Sequence, residues 1–311
     1  MPLRFGLLGT GHWATEAHAP GLAGHADASF VGVWGRDPAK AATLAGRFGV
    51  EAFADLDELL AKVDAVAVAV PPDVQADLAV RAATAGRHLL LDKPLALSLE
   101  AARRVVAAVE SSRVASLVFF TARFMPEVVA WLDELREAGG WQGAQATWFG
   151  SIFQPGGPYA DSVWRRERGA LWDVGPHALS LAVPALGAVE RVSAARGLGD
   201  TTHLVAGHRG GASSIISLSL TVPPAAASTR FAVYGPAGWS EMPEDATTPA
   251  EAFSRAVAEL AGMVAASRTG HPCDVRFGAE VVAVLDAAER QLGGHASGGA
   301  PPVRSNMSVD G

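Results

Sequence analysis

Leu3-Arg4-Phe5-Gly6-Leu7-Leu8, followed without interruption by Gly9-Thr10-Gly11-His12-Trp13-Ala14, is the stretch that decides the fold. The first six residues are mostly apolar and read as a strand. The next six open a helical stretch that runs toward Leu22. A G-x-G-x-x-A pattern between strand and helix is a form of the dinucleotide fingerprint in the setting that motif needs. Gly9 permits the tight turn, Gly11 lets the backbone approach a pyrophosphate, and Ala14 keeps the helix close to the sheet. The helix N-terminus presents its amides to the anion. Thr10, His12 and Trp13 complete the loop and are read with it as cofactor-binding residues.

Working outward, strands and helices alternate. Ala28 to Trp34 reads as a second strand, and Pro38 to Phe48 as a helix with Asp37 as its N-cap. Asp55-Leu56-Asp57-Glu58 has a capping-box-like pattern before a short helix. Ala65 to Val70 is a continuous apolar strand, as a sheet buried on both faces demands. Asp73 to Ala85 reads as helix, Leu89-Leu90-Leu91 as strand, Ser98 to Ser111 as helix and Val114 to Phe120 as strand. Strands joined in this way by crossover helices predict an α/β Rossmann domain, a doubly wound parallel sheet over residues 1–120. Strand two ends Val33-Trp34-Gly35-Arg36-Asp37, where an NAD site would place a carboxylate against the ribose. Gly35 supplies none, whereas Arg36 can clamp a 2′-phosphate with help from Lys40. The alternative is that Asp37 still reaches the ribose. NADP(H) is therefore favoured, with NAD(H) possible. Pro71-Pro72 stiffens a loop that lines the cofactor.

Leu89-Leu90-Leu91-Asp92-Lys93-Pro94 carries a charge at the mouth of a buried strand, where an ammonium must be kept wet or paired. Pro94 ends the strand, so Lys93 is held at the sheet edge where ligands bind. After Phe120 the alternation changes, and residues 121–311 are expected to form a second, α+β domain, to which the resemblance described below assigns substrate binding and oligomerisation. Pro126 to Ala138 reads as helix with Arg123 before it; Gly143 to Phe153 has strand character. A Gly/Pro-rich loop over 154–161 leads into Trp164-Arg165. Asp173 and His177 lie four apart in a segment that reads as one helix from about Leu171 to Leu186, which puts both on one face. By itself that spacing equally fits an ordinary helix, but Gly169, Gly175 and Pro176 make an unusual setting for one. Val189 to Arg196, Thr201 to Gly207, Ala212 to Val222 and Thr229 to Tyr234 read as strands of an open, mostly antiparallel sheet. Pro249 to Ser267 and Val275 to Leu292 read as helices, and 293–311 as a frayed tail.

Composition limits the function classes. With 311 residues, 49% hydrophobic and 18% charged, the chain is globular and long for one core. A net charge of −7 without a basic block argues against nucleic acid. The single cysteine, Cys273, excludes an internal disulfide and points to a reducing, cytoplasmic setting. No apolar run approaches the roughly 18 residues of a membrane span, and His203, His208 and His271 lack the ligand spacing of a metal site.

Taken together, Gly9-Thr10-Gly11-His12-Trp13-Ala14, Val70-Pro71-Pro72, Leu91-Asp92-Lys93-Pro94, Trp164-Arg165 and the Gly169–His177 segment resemble the Gfo/Idh/MocA oxidoreductases. The usual glutamate-lysine-proline of that family appears as Asp92-Lys93-Pro94, and a histidine often found after the proline pair is replaced by Gln75. The resemblance implies a Rossmann domain followed by an open antiparallel sheet that shapes the substrate site. It implies hydride transfer between a nicotinamide cofactor and a secondary alcohol or carbonyl of a sugar, inositol or similar polyol. Lys93, Asp173 and His177 then fall on catalytic positions, with Arg123, Trp164 and Arg165 beside the substrate. His177 is the natural base because its unperturbed pKa of ~6.5 lies nearest working pH, and Lys93 hydrogen-bonds the same oxygen and lowers a nearby imidazole; which of the two moves the proton is left open by the sequence. Homodimers or homotetramers through the second sheet are expected. A nicotinamide-binding sensor without turnover is a competing reading. Another is a reductase of a non-sugar carbonyl or imine, which the aromatics Phe149, Phe153, Tyr159 and Trp164 would suit.

Overall fold

The structure, a computed structural model, describes residues 1–294. β1 (Leu3–Leu8) runs into Gly9, then a π-helical turn at Ala14–His18 and one α-helical turn, α1 (Ala19–Leu22). β2 (Ala28–Trp34), α2 (Pro38–Phe48), β3 (Glu51–Phe53), α3 (Leu56–Lys62) and β4 (Ala65–Val68) follow. Then come α4 (Pro72–Thr84), β5 (His88–Asp92), α5 (Leu99–Ser112) and β6 (Ser116–Phe119). The six strands are parallel in the order β3-β2-β1-β4-β5-β6. The order reverses between β1 and β4, and the crevice at such a switch point is where ligands bind. Every residue of β4 is buried, as are Leu89, Leu90 and Leu91 of β5, which explains their unbroken apolar runs. Asp37, Asp55 and Ser98 cap α2, α3 and α5 through their side-chain oxygens. At three residues, β3 is too short to leave a periodicity in the sequence.

A 3-10 turn at Thr121–Phe124 leads to α6 (Pro126–Ala138), β7 (Gly143–Phe149), α7 (Val163–Asp173) and α8 (Gly175–Leu186). β8 (Val189–Arg196), β9 (Thr202–His208), β10 (Ser213–Ser219), β11 (Ser228–Gly235) and β12 (Gly238–Glu241) complete a second sheet. Its order is β12-β11-β7-β10-β9-β8, with β7 and β10 parallel and the other pairs antiparallel. Ile216, Leu218 and Leu220 face inward and are buried, as their alternation with Ser217, Ser219 and Thr221 requires.

The last helices, α9 (Pro249–Ala265) and α10 (Val275–Gly294), return to the first sheet. α9 packs on α1 and β6, and α10 on α5 and β8, so the two sheets share a continuous apolar core. Of the tail expected over 293–311, Gly293 and Gly294 belong to α10, and 295–311 lie outside the described residues.

One expected element is different. The helix read across Leu171 to Leu186 is two helices, broken at Val174 (φ −108°, ψ −17°). The cause is local: Pro176 has no amide hydrogen to give the Trp172 carbonyl four residues back, and its ring crowds that carbonyl, so the first helix cannot run on through it. Asp173 thus ends one helix and His177 lies in the first turn of the next. Among the described residues no helix is long and apolar enough to cross a membrane.

Candidate active site

A groove of about 370 Å³ opens at the carboxyl ends of β1, β2 and β4, between Gly9, Thr10 and Gly11 on one side and Pro71 and Val74 on the other. Gly9 has φ 128°, and a Cβ there would lie 2.2 Å from the Ala69 carbonyl oxygen, so only glycine fits the turn. A Cβ on Gly11 would meet nothing within 4 Å, which leaves open space beside the backbone where a pyrophosphate would lie. The residues therefore fit a dinucleotide. Arg36 and Lys40 line the end of the groove beyond Gly35. Asp37 lines it too, but its Oδ1 accepts from the amides of Ala39 (3.0 Å) and Lys40 (3.2 Å) as a helix cap. Arg36 has no side-chain hydrogen bond or ion pair among the described residues. Pro72 is buried as the first residue of α4. His12 and Trp13 point away from the groove, toward Tyr159 and the neighbouring cleft; the His12 and Tyr159 rings meet edge-on at 5.5 Å.

That second cleft, about 230 Å³, is walled by Trp13, Trp148 and Tyr159 and holds Lys93, Arg165, Asp173 and His177. Lys93 projects just past the end of β5, where Pro94 follows through a cis peptide. Its Nζ donates to the Asp173 backbone oxygen at 2.7 Å and to Asp173 Oδ1 at 3.0 Å. The break at Val174 makes this contact possible. Asp173 stands at a helix C-terminus, where the last carbonyls have no partner within the helix and the dipole favours a cation. Arg165 Nε donates to Asp173 Oδ2 at 2.9 Å, so both carboxylate oxygens are held by cations. The Lys93 and Asp173 side chains are only 7% and 8% exposed, and a pair this deep survives because each charge is matched. Arg165 is stacked over the rings of Tyr159 (4.1 Å) and Trp164 (4.4 Å). His177 stacks on Trp148, with ring centroids 5.6 Å apart and planes 8° from parallel.

These surroundings set the protonation states. Burial alone would raise the Asp173 carboxyl, but Lys93 and Arg165 outweigh it and hold it below the usual carboxylate range. Burial, and then the Lys93 ammonium, push the His177 imidazole down to about 3 against the pull of Asp173. The basis for naming His177 as the base, an unperturbed pKa near neutrality, is therefore corrected: the ring is held neutral far below neutral pH. Burial also lifts Asp92, whose Oδ1 accepts from the Lys93 amide at 2.7 Å, to about 6, and lifts the Tyr159 phenol to about 12.

Of the residues singled out in the sequence, Lys93, Arg165, Asp173 and His177 meet in this cleft, drawn from three separate elements. Trp164 reaches it only through Arg165. Arg123 lies elsewhere: it donates to the Ser180 carbonyl at 3.0 Å and sits over the Phe277 ring, bracing α8 from behind. Phe153 packs under Arg166 instead of lining the cleft. Trp148 was not singled out, because an aromatic residue in an alternating strand looks like any core residue. His208 is satisfied by the Gly187 carbonyl and Ser214, and His271 by Glu259. Among the described residues no group of three His, Cys, Asp or Glu side chains is placed to hold a metal ion.

A Rossmann unit whose switch-point groove abuts a cleft under a second, mixed sheet defines the class of two-domain dinucleotide-binding proteins. Residues 3–120 match the GFO_IDH_MocA family model, described as an oxidoreductase family with an NAD-binding Rossmann fold. That match is confined to the Rossmann domain, where the sequence resemblance to the Gfo/Idh/MocA oxidoreductases had its first motifs. It is similar to inositol 2-dehydrogenase of Rhizobium meliloti (strain 1021), 38% identical over 131 residues, 42% of this chain and 39% of that protein. It is also similar to dTDP-3,4-didehydro-2,6-dideoxy-alpha-D-glucose 3-reductase of Streptomyces antibioticus, 32% identical over 189 residues, 60% of this chain and 57% of that one. The matched stretches thus span about two fifths to three fifths of these curated relatives. The whole fold is shared with UDP-N-acetylglucosamine 3-dehydrogenase GnnA from Acidithiobacillus ferrooxidans, with TM-score 0.77 and 22% identity over 94% of this chain and 99% of that one.

Proposed function

We propose that the protein is an NAD(P)-dependent oxidoreductase that moves a hydride between a nicotinamide cofactor and a secondary alcohol or carbonyl of a sugar, inositol or similar polyol. NADP(H) is the favoured cofactor. The observation that carries this reading is the pairing of Lys93, from the end of a Rossmann strand, with Asp173, from the second unit, in a cleft next to the dinucleotide groove. The names of the similar proteins, an inositol dehydrogenase and a sugar-nucleotide reductase, support the substrate class.

The Gly9–Gly11 turn would hold the pyrophosphate and Arg36 with Lys40 the 2′-phosphate; Asp37 is engaged as a cap. The bound nicotinamide supplies or accepts the hydride. The chain's own part is the proton. A lysine ammonium has three N–H donors; two go to Asp173, which leaves one for a substrate oxygen. Lys93 is accordingly assigned to hydrogen-bond the reacting oxygen and to exchange its proton, stabilising negative charge that develops there. Neutral His177, fixed by Trp148, orients the same hydroxyl, and Asp173 holds Lys93 and Arg165 in register. The flat faces of Trp13 and Trp148 give the C–H surface of a sugar ring an apolar wall, with a few convergent polar groups for its hydroxyls.

A panel of inositols, monosaccharides and their keto forms, followed by nicotinamide absorbance with each cofactor, tests the reading. Turnover of a polyol or its ketone is expected. Cofactor binding without turnover of any panel member would instead identify a sensor.

A further inference from the structure

At the end of β5 the chain leaves the ladder through Asp92-Lys93-Pro94-Leu95, and a segment that turns inside the protein must find partners for its backbone groups elsewhere. The Lys93 amide finds Asp92 Oδ1 at 2.7 Å, and four further groups are met by one side chain. Gln75, in the first turn of α4 and 1% exposed, accepts from the Asp92 amide through Oε1 at 3.0 Å. The two hydrogens of its Nε2 serve the carbonyls of Asp92 (2.7 Å) and Pro94 (2.9 Å), with the Leu95 carbonyl sharing one of them at 3.3 Å. Only this orientation of the amide matches one donor and three acceptors. The neighbours of Gln75 on the same helix, Val74 and Leu78, line the dinucleotide groove. One rigid turn of helix thus forms a wall of the groove and grips the loop that carries Lys93.

We propose that Gln75 is a positioning residue that fixes the Asp92–Leu95 backbone, and with it Lys93, relative to the dinucleotide groove. The inference rests on the reading of Lys93 as the proton-exchanging group, and it explains the departure at this position from the histidine that the family resemblance leads one to expect. A neutral imidazole offers one donor and one acceptor, too few for the four contacts seen here. An aliphatic side chain fills the space and makes none of them. A glutamate keeps the shape but sets a carboxylate against three carbonyl oxygens.

The test uses the full chain with Gln75→Leu and Gln75→Glu. Amide hydrogen exchange is read at Asp92, and amine labelling at Lys93 against exposed Lys40, by peptide mass spectrometry. Both are expected to rise in Gln75→Leu by about tenfold or more, because the loop then opens locally, while β4 exchanges as before. In Gln75→Glu the Lys93-to-Lys40 labelling ratio is expected to climb with pH more steeply than in the wild-type protein, as the introduced carboxyl ionises and repels the loop. NADPH affinity is expected to stay within about threefold for both variants, since Gln75 does not line the groove. Wild-type exchange at Asp92 and wild-type labelling at Lys93 in both variants would overturn the proposal. Turnover is read separately: a loosened Lys93 with undiminished kcat on a polyol would leave the positioning role standing and refute the role given to Lys93.

Discussion

Arg36 and Asp37 are neighbours at the mouth of the same groove, yet their side chains have different employment. Asp37 caps α2 with Oδ1, whereas Arg36 is unengaged and lines the groove. A guanidinium is shaped to take a phosphate, and removing it leaves the rest of a dinucleotide's contacts in place. Arg36→Ala is expected to weaken NADPH by about tenfold or more and NADH by less than about threefold, measured by fluorescence titration; equal losses would refute the phosphate clamp. The sequence made Arg36 legible because the end of a second Rossmann strand has a defined job. It made Lys93 and Asp173 legible too, as charges at a strand end and beside a Gly/Pro-rich break. The lowering of His177 by a nearby Lys93 charge was legible as well, but its larger cause, burial, was not, and neither was the Trp148 stack, because neither can be deduced from spacing along the chain. Gln75 was visible only as a departure, since its partners lie 17 to 20 positions away.

The turn at Ala14–His18 and α1 carry a second buried imidazole. His18 is fully buried, stacks on Phe253 of α9 with centroids 4.0 Å apart, and neither ring nitrogen has a hydrogen-bond partner among the described residues. Burial depresses it to about 3. The folded state therefore refuses a proton that the unfolded chain accepts below about pH 6.5, so stability is full above that pH and falls as pH drops toward 3. At pH 5 the loss from this one group is about 2 kcal/mol. His18→Leu is expected to leave stability at pH 7.5 unchanged or raised, since it removes unpartnered polar atoms. It is also expected to flatten the decline between pH 6.5 and 5, read from urea midpoints; an unaltered decline would contradict the burial argument. The elements themselves were largely foreseen where length or capping gave a signal. β3 and β12 went unassigned at three and four residues, and the Leu171–Leu186 stretch reads as one helix because its apolar spacing continues across Pro176, whose missing amide hydrogen ends the first helix.

At the scale of the molecule, the two sheets are tied by α9 and α10 and by the cluster of Lys93, Arg165 and Asp173. The alternation of the first third announced the Rossmann sheet, and the inward-facing Ile216 and Leu218 announced a sheet packed on helices. The return of the last two helices to the first sheet had no signature, because both are ordinary amphipathic helices whose partner is chosen in three dimensions. The outer face of the second sheet exposes Val205 and Ile215, each by 50%, as cross-strand neighbours. A second copy covering this face accounts for apolar side chains paired in the open, and the protein is expected to sediment as a dimer or tetramer. Val205→Glu with Ile215→Glu is expected to shift it to monomer; an unchanged sedimentation coefficient would place the interface elsewhere.

The central claim is that Lys93, held by Asp173 beside the dinucleotide groove, exchanges the proton that accompanies hydride transfer. Lys93→Met keeps the length and apolar stem of the side chain and removes its donors. Single-turnover hydride transfer to or from a polyol substrate, with cofactor affinity measured in parallel, tests the claim most directly. The account predicts a fall in rate of about a thousandfold or more with cofactor affinity held within a few-fold. Transfer at the wild-type rate in Lys93→Met would contradict it.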